Sequence, residues 1–247
     1  DKSNYKAGEI LKLPDLAWTL KQLAEFGPDA FYKGEIAKKI VQEMERNQGL
    51  ISAEDLKNYK AVERSPVEGT YKNFKIVSMP PASSGGIHLI QMLNMLEEFP
   101  IKEMGFGSAD SIHILAEVMK RAYADRSKHL GDMDFYDVPF SLMSKGYSSS
   151  LNKSISIKSR TASKDVFAGD PYPYESPDTT HFSVMDQYGN AVSNTYTLNF
   201  SYGSGIMIPG TGMLMNNEMD DFSSKPGVPN GYGLLGSEAN SIQAHKR

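Results

Sequence analysis

The sequence predicts a protein of mixed helices and strands, and three observations carry that expectation. Apolar residues recur at helical spacing in four stretches ahead of Gly131. Polar and apolar residues alternate from Pro177 to Asn199, and less regularly between Tyr59 and Met79. Pro and Gly punctuate the boundaries between the two kinds of pattern. With 247 residues the chain can bury a sizeable core, as one large domain or two small ones.

Leu16, Leu20 and Leu23 place a helix over Pro14 to Phe26, stopped by Gly27-Pro28. Ile36, Ile40, Val41 and Met44 place a second over Gly34 to Arg46. Ser52 with Asp55 three residues on has the spacing of a capping box and opens a short helical turn. The period then changes: Val67, Thr70, Tyr71, Phe74, Ile76 and Val77 suggest two strands joined around Lys72-Asn73. Pro80 to Gly86 breaks the second strand and leads into a helix with Leu89, Leu93 and Leu96. Small residues there can present backbone N–H groups to an anion, although a capped, tightly turned helix start accounts for them more simply. Ser111 to Leu130 has the clearest helical pattern, with Ile112, Leu115, Ala116, Met119, Ala122 and Tyr123 on its apolar face and Gly131 closing it.

From Asp132 to Ser176 the chain reads as irregular, and its Pro-rich end as a mobile approach to the alternating stretch at 177–199. In that stretch, Phe182 and Val184 share one face while Thr179, His181 and Ser183 share the other. A three-residue loop at Gln187-Tyr188-Gly189 pairs Met185 with Ala191 and puts Gly189 where a positive φ is needed. By the same register Thr197 faces Thr179, and Asn199 projects from that face too. Val192, Tyr196 and Leu198 join the apolar side. Short strands come next around Ile206–Ile208 and Met213–Met215, then an acidic cluster from Asn216 to Phe222 and a Gly/Pro-rich loop from Pro226 to Gly236.

Composition excludes several functions. A net charge of −4 leaves no basic surplus to neutralise phosphates, which argues against a nucleic-acid partner. No membrane segment is expected, because no run of about 18 apolar residues occurs, and no signal-peptide pattern is present. Cysteine is absent, which removes disulfides, Cys-ligated zinc and thiol catalysis and fits an oxidising compartment. The opening without Met and the ending at His-Lys-Arg suggest a processed or truncated segment. There is no Gly-x-Ser-x-Gly elbow and no His-Glu-x-x-His. No histidine stands near another at ligand spacing, and Glu218, Asp220 and Asp221 lack the alternate-oxygen spacing of a calcium loop, so no metal is expected. Threonine as a nucleophile needs an adjacent base, and its own free α-amine is one answer. Thr179, opening a strand after a Pro-rich segment, has that placement, while β-propensity alone also accounts for Thr-Thr in a strand.

Seven segments together carry a family resemblance: Met79–Gly86, Arg121–Ser127, Thr179–Val184, Tyr188–Val192, Thr195–Asn199, Asn216–Ser223 and Lys225–Asn230. In this order and over most of the chain, they resemble the γ-glutamyltransferases (γ-glutamyl transpeptidases). The resemblance implies an α+β fold, the αββα sandwich of the N-terminal-nucleophile hydrolases, of which this chain holds the central portion. Residues 1–178 would be the C-terminal part of the large subunit and 179–247 the N-terminal part of the small one, in one intertwined structural domain. Thr179 resembles the autoprocessing and catalytic nucleophile, with Asp178–Thr179 the scissile bond. Thr197 resembles the second threonine that hydrogen-bonds it. Asn199, Glu218 and Asp221 resemble the residues that hold the substrate's α-ammonium, whose three donors want carboxylate or amide oxygens. Pro226 to Ser237 corresponds to a lid loop, with Tyr232 its aromatic latch towards Asn199.

The implied activity is γ-glutamyl transfer from glutathione and related amides to water or to an amino-acid or dipeptide acceptor. It needs no cofactor or metal, and it comes after autocleavage into a heterodimer of large and small subunits. A periplasmic or secreted location is implied. The family's substrate-carboxylate arginine, Ser-Ser pair and Gly-Gly oxyanion hole find no counterpart in this chain; Ser83-Ser84-Gly85-Gly86 belongs to the large-subunit part. Two rival readings remain: the same scaffold acting on poly-γ-glutamate or glutaryl-type acyl amides, and an inactive fragment or precursor.

Overall fold

A computed structural model describes residues 5–166 and 180–246. In chain order its main elements are α1 (Pro14–Phe26), α2 (Pro28–Tyr32), α3 (Glu35–Arg46), α4 (Ala53–Asn58), β1 (Val67–Tyr71), β2 (Phe74–Ser78), α5 (Gly85–Leu96), α6 (Ile101–Met104), α7 (Ala109–His129), α8 (Lys145–Asn152), β3 (Thr180–Met185), β4 (Ala191–Tyr196), β5 (Met207–Ile208) and β6 (Met213–Leu214). The strands form three antiparallel pairs, β1–β2, β3–β4 and β5–β6. This is the expected mixture of helix and strand.

The chain divides into two compact units, Asp1–Val62 with Pro177–Glu218, and Glu63–Ser176 with Met219–Arg247. In the first, the amphipathic stripe of α3 buries Ile36, Ile40 and Met44 against Ala30, Leu56 and Ile208. Complete burial of an Ile contributes about 1.5–3 kcal/mol, so Ile208, fully buried among helices α2–α4, is a strong anchor for the β5–β6 pair. A buried hydrogen bond from Thr19 Oγ1 of α1 to the Thr211 carbonyl (2.8 Å) fastens the same loop. Ser52 and Asp55 form the expected capping box at α4.

In the second unit, α5 packs on β1 along one side and on α7 and α8 along others. Gly86 makes this possible, since a Cβ there would stand 2.0 Å from the Met79 carbonyl oxygen and 2.6 Å from Val67. Residues from the end of the chain join this unit: Ala239 is buried, and Ser237 Oγ donates to the Lys128 carbonyl at the end of α7 (3.0 Å). Each unit therefore combines residues before position 167 with residues after position 179.

Two expectations need correction. The face of α7 that is buried is Ile114, Glu117, Val118, Arg121, Ala122 and Asp125, while Ile112 and Leu115 are exposed. Charged positions look like a solvent face in the hydropathy pattern, but here they are satisfied inside. Arg121 pairs with Glu117 (2.8 Å) and donates to Ser154 Oγ (2.8 Å) and the Ser154 carbonyl (2.7 Å). Lys120 also pairs with Glu117. Asp125 accepts from Gln91 Nε2 (2.5 Å) and the Tyr147 hydroxyl (2.9 Å). The described part of the stretch after Asp132 is also not irregular throughout. Ser144 caps α8 by accepting from the Tyr147 amide (3.2 Å), and α8 packs on α5. Its Ser-rich sequence carries too few apolar residues to declare a helix. The remainder of that stretch, from 167, lies outside the described residues, as do Asp178 and Thr179.

Candidate active site

The β3–β4 hairpin has the expected register. Met185 pairs with Ala191, Val184 with Val192, Ser183 with Ser193, and the ladder continues to Thr180 opposite Tyr196. Gly189 has φ +85°, the positive value its loop position requires. Asp186 builds the loop: its carboxylate accepts from the amides of Tyr188 and Asn190 (2.9 Å each) and from Asn190 Nδ2 (2.7 Å). The side-chain bond from Asn190, above all, lowers the Asp186 pKa below the usual carboxylate value. These contacts are local in sequence, which is why the hairpin could be read from it.

Beyond β4 the strand alternation stops, because Asn199 adopts φ +72°. The expectation that Asn199 simply continues the Thr197 face of the strand is therefore corrected. The segment is instead laced to residues 216–218. The Asn217 amide donates to the Leu198 carbonyl (3.1 Å), Asn199 Nδ2 to the Asn217 carbonyl (3.1 Å), and the Phe200 amide to Asn217 Oδ1 (2.9 Å). Thr197 Oγ1 accepts from the Asn199 amide (3.0 Å), and Asn199 is buried. Glu218 is next in the chain, its amide bonded to Asn216 Oδ1 (3.1 Å). Thr197, Asn199 and Glu218 thus gather within the first unit. The organiser that sequence reasoning missed is Asn217, and its signal was the Asn216-Asn217 pair, a residue type suited to bonding nearby backbone.

Glu218–Asp221 forms a single 3-10 turn. In the second unit, Asp221 offers its carbonyl to Asn240 Nδ2 (2.7 Å), and its neighbour Asp220 reaches into the Gly/Pro-rich loop. That loop is ordered by Asn230, whose Oδ1 accepts from the amides of Tyr232 (3.1 Å) and Leu234 (2.9 Å). Backbone bonds from Gly227 to Gly236 (3.0 Å) and from Asn230 to Leu234 (2.9 Å) draw its two arms together. The half-buried Tyr232 lies near its tip. A cavity of about 380 Å³ opens between turn and loop, lined among others by Arg126, Asp220, Asp221, Val228 and Leu234. Arg126 also donates from Nε to Ser84 Oγ (3.0 Å), so the Ser83–Gly86 run holds an arginine. Ser84 makes no side-chain cap on α5.

Within the second unit, Asp221 and Tyr232 are therefore tied to the same turn-and-loop assembly. Thr179, the expected nucleophile, lies outside the described residues, as does Asp178. Among the described residues no helix is long and apolar enough to cross a membrane.

A family model described as gamma-glutamyltranspeptidase matches residues 1–247. The glutathione hydrolase proenzyme of Escherichia coli (strain K12) is 54% identical over 98% of this chain, a region that makes up 42% of that relative. The crystal structure of Helicobacter pylori gamma-glutamyltranspeptidase superimposes with a TM-score of 0.64 at 40% identity, covering 70% of this chain and 50% of that one. A cephalosporin acylase from Bacillus halodurans superimposes with a TM-score of 0.75 at 25% identity, over 98% of this chain and 41% of the acylase. The chain thus spans about two fifths of the length of the curated relatives it matches.

Proposed function

Because the chain belongs to the γ-glutamyltranspeptidase family, we propose that its protein is a γ-glutamyltransferase and glutathione hydrolase activated by self-cleavage at Asp178–Thr179. One observation carries the geometric part of this reading: the register expected from Thr179 opposite Thr197 is the register observed from Thr180 to Met185. That agreement supports the pairing of the Thr179 and Thr197 hydroxyls that the proposal requires.

In the first step the Thr179 hydroxyl attacks the Asp178 carbonyl, and the acyl group moves from nitrogen to oxygen. That shift frees the Thr179 α-amine, and water then hydrolyses the ester, releasing the Asp178 carboxylate and restoring the Thr179 hydroxyl. That amine, an amide before cleavage, now has a lone pair to take the hydroxyl proton. The hydroxyl attacks the γ-carbonyl of glutathione or a related amide, the departing amine takes the proton, and a γ-glutamyl ester remains on Thr179. Water or an amino-acid or dipeptide acceptor then attacks the ester. Asn199, Glu218 and Asp221 hold the donor's α-ammonium, giving its three N–H donors oxygen acceptors, two of them charged. Tyr232 and the loop around it close over the bound donor.

Residues 1–178 and 179–247 belong to the large and small subunits of an αββα sandwich. The mixing of both segments within each unit supports subunits that stay joined after cleavage. A periplasmic or secreted location fits a chain without cysteine. Incubating the intact gene product and weighing its fragments tests the proposal: one fragment begins at Thr179, and Thr179→Ala leaves a single uncut, inactive chain. A new terminus at any other residue would sink it. Structural similarity to an acylase supports a second reading, glutaryl-type amide hydrolysis on the same nucleophile; turnover of a glutaryl amide faster than glutathione would favour it.

A further inference from the structure

The substrate-ammonium turn and the lid loop are connected by one side chain that takes no part in the proposed mechanism. The Asp220 carboxylate stands between Glu218 and Asp221 in sequence and accepts the Gly231 amide on both oxygens, at 3.0 Å each. Gly231 precedes Tyr232, whose own amide is held by Asn230. A carboxylate centred on a backbone N–H makes a charge-assisted bond, roughly twice as strong as a neutral one. Gly231 is exposed and Asp220 half-buried, so water competes for this bond and it can open and close.

We propose that Asp220 is a positioning residue that tethers the lid loop to the turn carrying Glu218 and Asp221, so that donor binding at the turn and closure of the loop are mechanically linked. This rests on the reading of Glu218 and Asp221 as the ammonium acceptors. The neighbouring acids have different tasks: the outer two face the substrate, and the one between them holds the loop. The cavity between turn and loop is the space this tether spans.

The test compares wild type, Asp220→Ala and Asp220→Asn within the intact gene product. Amide exchange over residues 226–236, measured without substrate, speeds up about tenfold in Asp220→Ala, the effect of losing a bond to a charged acceptor. Asp220→Asn, which keeps one acceptor oxygen, falls between. With a γ-glutamyl anilide as donor, KM in Asp220→Ala rises about tenfold while kcat changes by less than about threefold, and Asp220→Asn recovers most of the loss. Unchanged loop exchange in Asp220→Ala overturns the tether, as does a fall in kcat alone or an Asn variant as impaired as the Ala one. Should the Ala variant not fold, exchange in the Asn variant decides. A wild type that does not turn over γ-glutamyl donors defeats the functional reading alone, because the exchange measurement needs no substrate.

Discussion

Helix α7 buries Glu117, Arg121 and Asp125, whereas the β3–β4 hairpin exposes its apolar side chains, with Phe182, Val184, Val192 and Tyr196 between 48% and 61% accessible. The helix is fixed by partners distant in sequence: Gln91, Tyr147, Ser154 and Thr161 all bond to its charged residues. The hairpin is fixed by its own ladder and by Asp186 at its tip. One element takes its conformation from tertiary packing and the other from local hydrogen bonding. A two-stranded hairpin alone is marginal in water, so β3–β4 is a locally ordered but weakly anchored piece, and the chemistry proposed above would sit at its open end.

The largest expected loss is at α7. Arg121→Ala leaves Glu117 buried with half its ion pairing and costs about 3 kcal/mol or more in urea unfolding, while the double change Glu117→Gln with Arg121→Met recovers much of it. A loss under about 1 kcal/mol would mean that the pair behaves like a surface one.

The packing of α5 on α7 makes the second unit sensitive to acid. Burial, and less so the charge of Arg126, lowers the His88 pKa to about 4 against the hydrogen bond from its Nε2 to the Ala122 carbonyl. The unfolded chain takes up that proton first, near pH 6.5, so stability falls as the pH drops from about 6.5 towards 4, with a slope approaching about 1.4 kcal/mol per pH unit. His88→Asn flattens this window in a urea series. Glu117 acts further down. Burial alone would raise its pKa, but hydrogen bonds from Lys120, Arg121 and Thr161 hold it at about 2. Its contribution is complete above about 4.5 and disappears as the pH falls towards 2. A pH-independent stability from 6.5 to 4 would contradict a buried neutral His88.

Smaller effects probe the hairpin. Gly189→Ala forces a side chain into φ +85° with no steric contact nearby, so it costs about 1 kcal/mol through backbone strain alone, and amide exchange rises in β3 and β4. Val184→Thr changes stability by no more than about 0.5 kcal/mol, because the side chain is half exposed. A larger loss would show that another surface covers this face.

Much of the site was legible because its signals are short-range. The Phe182/Val184 alternation, the Gly at position 189 and the three-residue loop fix which residues pair, since a slip of one residue would turn every side chain to the opposite face. The helix over Pro14–Phe26 and the box at Ser52 and Asp55 were readable for the same reason. Asn199 was not, because its positive φ is stabilised by Asn217, which is 18 residues away. Nor was the inner face of α7, since hydropathy cannot distinguish a charge in water from one satisfied by a partner 22 to 44 residues distant.

By itself, then, the sequence determined the four longest helices, the hairpin register and the residue types that make Thr179, Thr197, Asn199, Glu218, Asp221 and Tyr232 candidates. Only the tertiary structure decided that Asn199 leaves the strand to meet Asn217, that Asp220 grips Gly231, and that α7 turns charges inward. Local hydrogen bonding and side-chain periodicity act within a few residues and are written in the order of the chain. The burial of a polar group depends on which distant group arrives to satisfy it, and that is known only once the chain has folded.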